Sequence, residues 1–158
     1  MTTPILRPPI TAHVLDTTLG RPAAGIPVAL MSMPSISPPP PSPQAGYHTP
    51  FSSSEPKILA TSKTNFDGRV AHWDLATNEH GQKAEISTEK GRVYMLRFET
   101  HDYYTTHYGE AGGFFPWVDV VFVMGGGDAG DGRAEEERKH YHVPVLLSRF
   151  GYSTYRGS

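Results

Sequence analysis

Histidine is the residue type in this sequence with the clearest capacity for chemistry. The chain has eight histidines and no cysteine. Histidine changes its charge near neutral pH, and its ring serves as a proton-transfer group and as a metal ligand. The absence of cysteine excludes disulfides, thiolate metal sites and a cysteine nucleophile. His101 and His107 lie six positions apart, rather than the four that bring two ligands to one helix face, so this pair predicts no metal site.

Polar chemistry is concentrated in the last nineteen residues, 140–158. This stretch contains three tyrosines, two histidines and two arginines. It consists of two runs with the aromatic and β-branched alternation of strands, separated by a Ser-Arg-Phe-Gly turn sequence. We therefore expect a β-hairpin that is docked against the rest of the protein, because chain ends without such packing are usually frayed.

Two further residues stand where local structure would fix their direction. Residues 10–16 alternate like a strand, which places His13 on one face together with Thr11 and Leu15. Arg69 follows an Asn-Phe-Asp-Gly turn in which Gly68 can take a positive φ. Taken alone, His13 is typical of an exposed strand and Arg69 of a protein surface, so these two patterns by themselves assign no role.

The remaining elements must position these residues. The helical pattern appears once, over residues 100–110, with a Thr or Asp cap at its start and Gly109 at its end. The stretch 114–124 is the most apolar and predicts a central strand or an interface strand. Further strands are predicted over residues 10–16, 25–31, 57–63, 91–99 and the two runs of the tail. Seven or eight short strands with one short helix predict an all-β fold, an antiparallel β-sandwich.

Two stretches between strands have the composition of inserted loops. Residues 32–56 hold eight of the fifteen prolines and seven serines, which offer few ladder donors and little apolar surface. We expect residues 33–55 to be mobile and sensitive to proteases. A polyproline II ligand for an aromatic-lined groove is the alternative. Residues 125–138 are rich in Gly and Glu and predict a second loop.

Length and charge bound the class of protein. A chain of 158 residues predicts one domain with one core, here residues 1–158 with the two insertions. A formal net charge of -2 favours neither a nucleic acid nor an anionic membrane as partner. The first nine residues lack the apolar core of a secretion signal and no apolar run reaches the length of a membrane span, so neither is expected. A cytoplasmic location is expected. The alternative is peroxisomal, although the C-terminus is not a Ser-Lys-Leu signal.

Four blocks of the sequence resemble the transthyretin-related 5-hydroxyisourate hydrolases. The tail is the most specific of them, because the His-Tyr-His-Val-Pro start and the Tyr-Arg-Gly-Ser end separate these hydrolases from transthyretin, the hormone carrier of the same fold. The two insertions depart from the short family pattern. The blocks are Thr-Ala-His-Val-Leu-Asp at 11–16 with Gly-Arg-Pro-Ala at 20–23, Asp-Gly-Arg at 67–69, Phe-Phe-Pro at 114–116, and the tail at 140–158.

This resemblance implies a transthyretin-like sandwich, assembled as a homotetramer that is a dimer of dimers, with active sites in a channel between dimers. It implies hydrolysis of 5-hydroxyisourate to 2-oxo-4-hydroxy-4-carboxy-5-ureidoimidazoline in urate degradation, a part of purine metabolism, with no cofactor and no required metal. It also implies residue roles. His13 and His142 are the acid-base pair, Arg69 is the cationic group beside the substrate and oxyanion, Ser158 closes the site, and His13, Arg69 and Tyr155 contact the substrate.

Three alternatives stay open at this stage. The same sandwich could be a non-enzymatic carrier of a small ligand. Replacement of His13, Arg69 and His142 would favour a carrier, but all three residues are present. The proline-rich insertion could make the protein an interaction module, alone or in addition to catalysis. Two or three histidines could also bind zinc, which treatment with a chelator before assay would reveal.

Overall fold

The computed structural model describes residues 8–34, 55–125 and 140–157. Ser158 lies outside these ranges. So do most residues of the two predicted insertions, and the prediction that residues 33–55 are mobile falls mainly on residues outside the described ranges.

The described ranges form ten strands and one helix, and apolar side chains alternate along the longer strands. Seven strands have four or more residues, as predicted, and three short pairings of two residues were not predicted. The elements are β1 Ile10–Asp16, β2 Arg21–Pro22, β3 Pro27–Ser32, β4 Lys57–Lys63, β5 Arg69–Val70, β6 Asp74–Leu75, β7 Val93–Glu99, α1 His101–Tyr108, β8 Trp117–Val123, β9 Tyr141–Ser148 and β10 Gly151–Thr154.

The strands form two five-stranded sheets that pack face to face, which confirms the predicted β-sandwich. One sheet has the order β10-β9-β1-β2, with β5 also paired to β1, and the other has the order β6-β4-β3-β7-β8. The core between them is apolar and fully buried, with Ile10, Ala12 and Val14 from β1 facing Leu96 and Phe98 from β7.

One pairing differs from the antiparallel prediction. β1 and β9 run parallel over seven paired positions, Ile10 with Tyr141 through Asp16 with Leu147. No hairpin joins these two strands, and a connection of more than a hundred residues leaves their relative direction open. The hairpin of β9 and β10 is antiparallel and has Arg149 and Phe150 at its turn, as predicted.

The apolar stretch 114–124 forms the edge strand β8 and not a central strand. Its core-facing residues Val118 and Val120 are 1% and 7% exposed. The opposite face carries Trp117, Val121 and Val123, which are 49%, 48% and 39% exposed. The sequence predicted a central strand or an interface strand; the edge position excludes the first and leaves the second as a prediction, because the run is apolar on both faces although only one face packs in the core.

Helix α1 packs its tyrosines against the end of β1. Asp16 is fully buried, and its carboxylate accepts hydrogen bonds from the Tyr103 hydroxyl at 3.0 Å and the Tyr108 hydroxyl at 2.7 Å. Burial and the bond to Asp16 raise the pKa of both hydroxyls, so they remain protonated donors. Thr100 lies at the N-cap position, but its hydroxyl donates to the Phe115 carbonyl and does not cap the helix. No helix in the described ranges is long and apolar enough to span a membrane.

Candidate active site

The candidate site lies on the outward face of the sheet that contains β1 and β9. Successive side chains of a strand point to opposite faces. On β1, Ile10, Ala12 and Val14 enter the core, so Thr11 and His13 point outward. In the parallel register, Thr11 is the partner of His142 and His13 is the partner of Pro144. His13 and His142 are therefore diagonal neighbours on one face.

The two histidines are in direct contact. His13 Nδ1 and His142 Nε2 are 2.6 Å apart, and the ring centroids are 4.8 Å apart with an angle of 27° between the ring planes. His142 is only 7% exposed, whereas His13 is partly exposed. The His142 ring is thus buried, whereas solvent or a ligand can reach the His13 ring.

The turn before β5 positions Arg69 beside His13. The Asn65 side-chain oxygen accepts hydrogen bonds from the backbone N–H groups of Asp67 and Arg69 at 3.0 Å and 2.9 Å. Gly68 has a φ of 69°, and an added Cβ would run into the Val14 carbonyl oxygen, so glycine is required there. Val14 N–H donates to the Gly68 carbonyl at 2.8 Å, which leaves Arg69 paired with His13 in the register of β1 and β5.

The surroundings of His13 favour its neutral form. Burial lowers the pKa of His13 below its ordinary value, and the positive charge of Arg69 lowers it further. Both effects disfavour the imidazolium, because a buried cation loses hydration and a second cation repels it. Both effects shift His13 toward the neutral imidazole, the form that can accept a proton.

The tail doubles back along β9 and meets His142, as the hairpin prediction required. Gly157 N–H donates to the His142 carbonyl at 2.8 Å, and the two residues form an isolated antiparallel bridge. A Cβ added to Gly157 would lie 2.7 Å from His142 Cδ2, so the tail backbone sits against the imidazole ring. Tyr155 is 56% exposed. A cavity of about 350 Å³ is lined by the tail, by β9 with His142, and by Val121, Phe122 and Val123 of β8, and it includes neither His13 nor Arg69. Ser158 follows directly but is outside the described residues.

The structure adds two polar residues to which the sequence assigned no role. Thr11 Oγ1 lies 2.8 Å from His142 Nδ1 and 3.1 Å from His140 Nε2. The signal was present as spacing, because Thr11 and His13 are two apart on one strand, and His140, directly before β9, is two residues from His142. Which strand pairs with which could not be read from that spacing.

A second cleft has a volume of about 420 Å³. It is mainly apolar and contains none of the predicted site residues. Its lining residues are Pro8, Pro9, Ala71, His72, Trp73, Leu75, Ala84, Glu85 and Ile86. Among the described residues, no group of three or more His, Asp or Glu side chains is arranged to hold a metal ion.

Comparison with known proteins gives consistent matches over nearly the whole chain. The model of the HIUase/Transthyretin family matches residues 10–157. A probable 5-hydroxyisourate hydrolase of Schizosaccharomyces pombe is 34% identical over 151 residues, which cover 96% of this chain and 92% of that protein. The 5-hydroxyisourate hydrolase of Mus musculus is 34% identical over 150 residues, which cover 95% of each chain.

Solved structures give the same result. The 5-hydroxyisourate hydrolase of Klebsiella pneumoniae superimposes with a TM-score of 0.55 and 26% identity, covering 94% of this chain and 98% of that chain. The transthyretin of Sparus aurata superimposes with a TM-score of 0.57 and 23% identity over 94% of this chain and 96% of that one. At this identity the second match is evidence for the fold alone.

Substitution of Gly157 tests the contact between the tail and His142. Gly157→Ala places a methyl group where His142 Cδ2 lies 2.7 Å away, so the ring must move. We expect the ring nitrogen signals of His142 to shift in NMR spectra of protein labelled with ¹⁵N-histidine. Gly151→Ala is the matched control, since its methyl group would lie 3.7 Å from the Ser148 hydroxyl, an ordinary contact. Equal spectra for the two variants would contradict the contact.

Proposed function

The chain belongs to the HIUase/Transthyretin family, and from that premise we infer that it is a hydrolase that opens the ring of 5-hydroxyisourate in urate degradation. One observation of the structure carries the inference. A hydrogen-bonded pair of histidines, His13 and His142, lies beside Arg69 on a face that a small molecule can reach. A carrier needs no proton-transfer pair of this kind, whereas hydrolysis by water does.

The geometry supplies the groups that the reaction needs. Water attacks a ring carbonyl carbon and forms a new C–O bond while the histidine pair takes its proton. The C–N bond of the ring then breaks, and the proton passes to the departing nitrogen. The low pKa of His13 keeps a neutral imidazole available for the first step. The Arg69 guanidinium, a planar set of donors, stabilises the negative charge that develops on the carbonyl oxygen.

The tail completes the proposed site. Tyr155, exposed and two residues before Gly157, which pairs with His142, is proposed to contact the planar substrate through its ring and hydroxyl. Ser158 keeps the role predicted from the sequence, closing the site at the end of the tail. No cofactor enters this scheme, because water attacks the carbonyl directly and no covalent intermediate is needed.

Turnover of 5-hydroxyisourate tests the function. The substrate is made in place by oxidation of urate, and the decay of its ultraviolet absorbance is followed with and without the protein. We expect the protein to accelerate the decay, and His142→Asn to lower turnover by roughly 10²–10⁴-fold, since it breaks the histidine pair that takes the proton from water. Arg69→Lys should also be impaired, because an ammonium does not reproduce the guanidinium fork.

The matched control is His80→Asn, a histidine on an exposed loop beside Glu79. It should leave turnover unchanged. Decay with the wild-type protein that does not exceed the spontaneous rate would overturn the function, and full turnover by the His142 variant would overturn the role of the pair.

We further propose that the protein assembles as a homotetramer, a dimer of dimers. The support is the exposed apolar and aromatic side chains on two edge strands. β8 and β10 are both edge strands, and each presents exposed apolar or aromatic side chains, namely Trp117, Val121 and Val123 on β8 and Tyr152 on β10. Exposed edges of this kind pair readily with another copy of the same chain, and closed symmetric assemblies are the usual result.

The mass of the assembly tests this proposal. We expect light scattering at micromolar concentration to give four times the chain mass of 17.3 kDa. Val121→Lys places a charge on the exposed face of the β8 edge and should produce smaller species. Thr61→Lys, on the interior strand β4, is the control and should not change the mass. A monomer mass for the wild-type protein would contradict the proposal.

A further inference from the structure

We propose that Thr11 and His140 are positioning residues that fix which nitrogen of His142, and through it which nitrogen of His13, carries the proton. The catalytic consequence rests on the proposed function, whereas the hydrogen-bond arrangement can be tested without it.

Four hydrogen bonds join these residues in one chain across the outward face of the sheet. His140 Nδ1 lies 3.0 Å from the Pro8 carbonyl oxygen, and His140 Nε2 lies 3.1 Å from Thr11 Oγ1. Thr11 Oγ1 lies 2.8 Å from His142 Nδ1. His142 Nε2 lies 2.6 Å from His13 Nδ1, and the partly exposed His13 ring is the last member of the hydrogen-bond chain.

With His140, His142 and His13 in their neutral forms, the direction of every bond follows from the Pro8 end. A carbonyl oxygen only accepts, so His140 Nδ1 carries a hydrogen and donates it. In a neutral imidazole the other nitrogen is then an acceptor, so the Thr11 hydroxyl donates to His140 Nε2. That hydroxyl has a single hydrogen, and it can therefore only accept from His142 Nδ1–H.

The same reasoning continues to His13. Since His142 carries its hydrogen on Nδ1, its Nε2 is an acceptor, and His13 Nδ1–H donates to it. His13 is left with Nε2 as the nitrogen that can accept a proton. The hydrogen-bond chain thus makes His13 Nε2 the base of the proposed reaction. His142 supports this base by accepting the hydrogen bond from His13 Nδ1–H.

Burial strengthens the hydrogen bonds that fix the two tautomers. Thr11 and His142 are 6% and 7% exposed, so water competes little for their hydrogen bonds. Thr11 is also the register partner of His142 on the adjacent strand, which holds the hydroxyl opposite the ring. In proton-transfer sites the base is generally oriented by a further group. Here the orienting groups behind His142 are the Thr11 hydroxyl and the His140 ring.

Two substitutions at Thr11 separate the hydroxyl from the space it fills. Thr11→Val keeps the branched shape but can neither donate nor accept, so His142 Nδ1 loses its acceptor and both ring tautomers become populated. Thr11→Ser keeps the hydroxyl and serves as the matched control. His140→Phe keeps a ring but removes the acceptor at Nε2, so the Thr11 hydroxyl can turn and donate to His142 Nδ1, which favours the opposite tautomer.

The experiment reads the tautomers directly, by solid-state NMR of protein labelled with ¹⁵N-histidine, in which protonated and unprotonated ring nitrogens are resolved. We expect hydrogen on Nδ1 of both His13 and His142 in the wild-type protein and in Thr11→Ser. We expect a mixture in Thr11→Val and hydrogen on Nε2 of His142 in His140→Phe. Turnover should fall on the order of 10- to 100-fold in both altered variants with little change in KM, a smaller loss than removal of the transfer group itself.

Hydrogen on Nε2 of His142 in the wild-type protein would overturn the proposal. So would a Thr11→Val protein with wild-type tautomers and wild-type kcat. If the wild-type protein has the expected tautomers but does not hydrolyse 5-hydroxyisourate, the proposed function fails while the polarity of the hydrogen-bond chain is upheld.

Discussion

The hydrogen bond between His13 and His142, 2.6 Å long, is the constraint on which the rest of the site depends. It joins side chains that are 129 positions apart in the sequence. The bond exists because β1 and β9 lie side by side in one register. A slip of one residue in either strand would turn its histidine into the core and bring an apolar neighbour to the surface. Register and chemistry are therefore specified together.

Three separate contacts hold β1, β9 and the turn before Arg69 in place. At the end of β1, the buried carboxylate of Asp16 accepts hydrogen bonds from two tyrosines of helix α1. In the middle, the Gly68 turn is hydrogen-bonded to Val14 and sets the direction of Arg69. Beside β9, the tail passes so close to the His142 ring that only glycine fits at position 157. Each contact joins β1 or β9 to a different part of the chain, so the site depends on the folded domain as a whole.

Strand alternation made much of this predictable. It placed Thr11 with His13 on one face, and the turn sequence in the tail predicted the hairpin that brings Gly157 to His142. The parallel pairing of β1 with β9 could not be predicted, because alternation gives faces but no partners. For the same reason the hydrogen bonds of Thr11 and His140 had no sequence signal that could assign them. The apolar run of β8 indicated burial, and nothing in it distinguished a core strand from a sheet edge.

The location of a bound planar purine tests the central claim most directly. The crystal structure of the protein with urate, which resembles the substrate in outline, should show the ligand within hydrogen-bond distance of His13 Nε2 and the Arg69 guanidinium. Density for urate only in the cleft beside Trp73, with none against the histidine pair, would contradict the assignment of the active site to the outward face of β1 and β9.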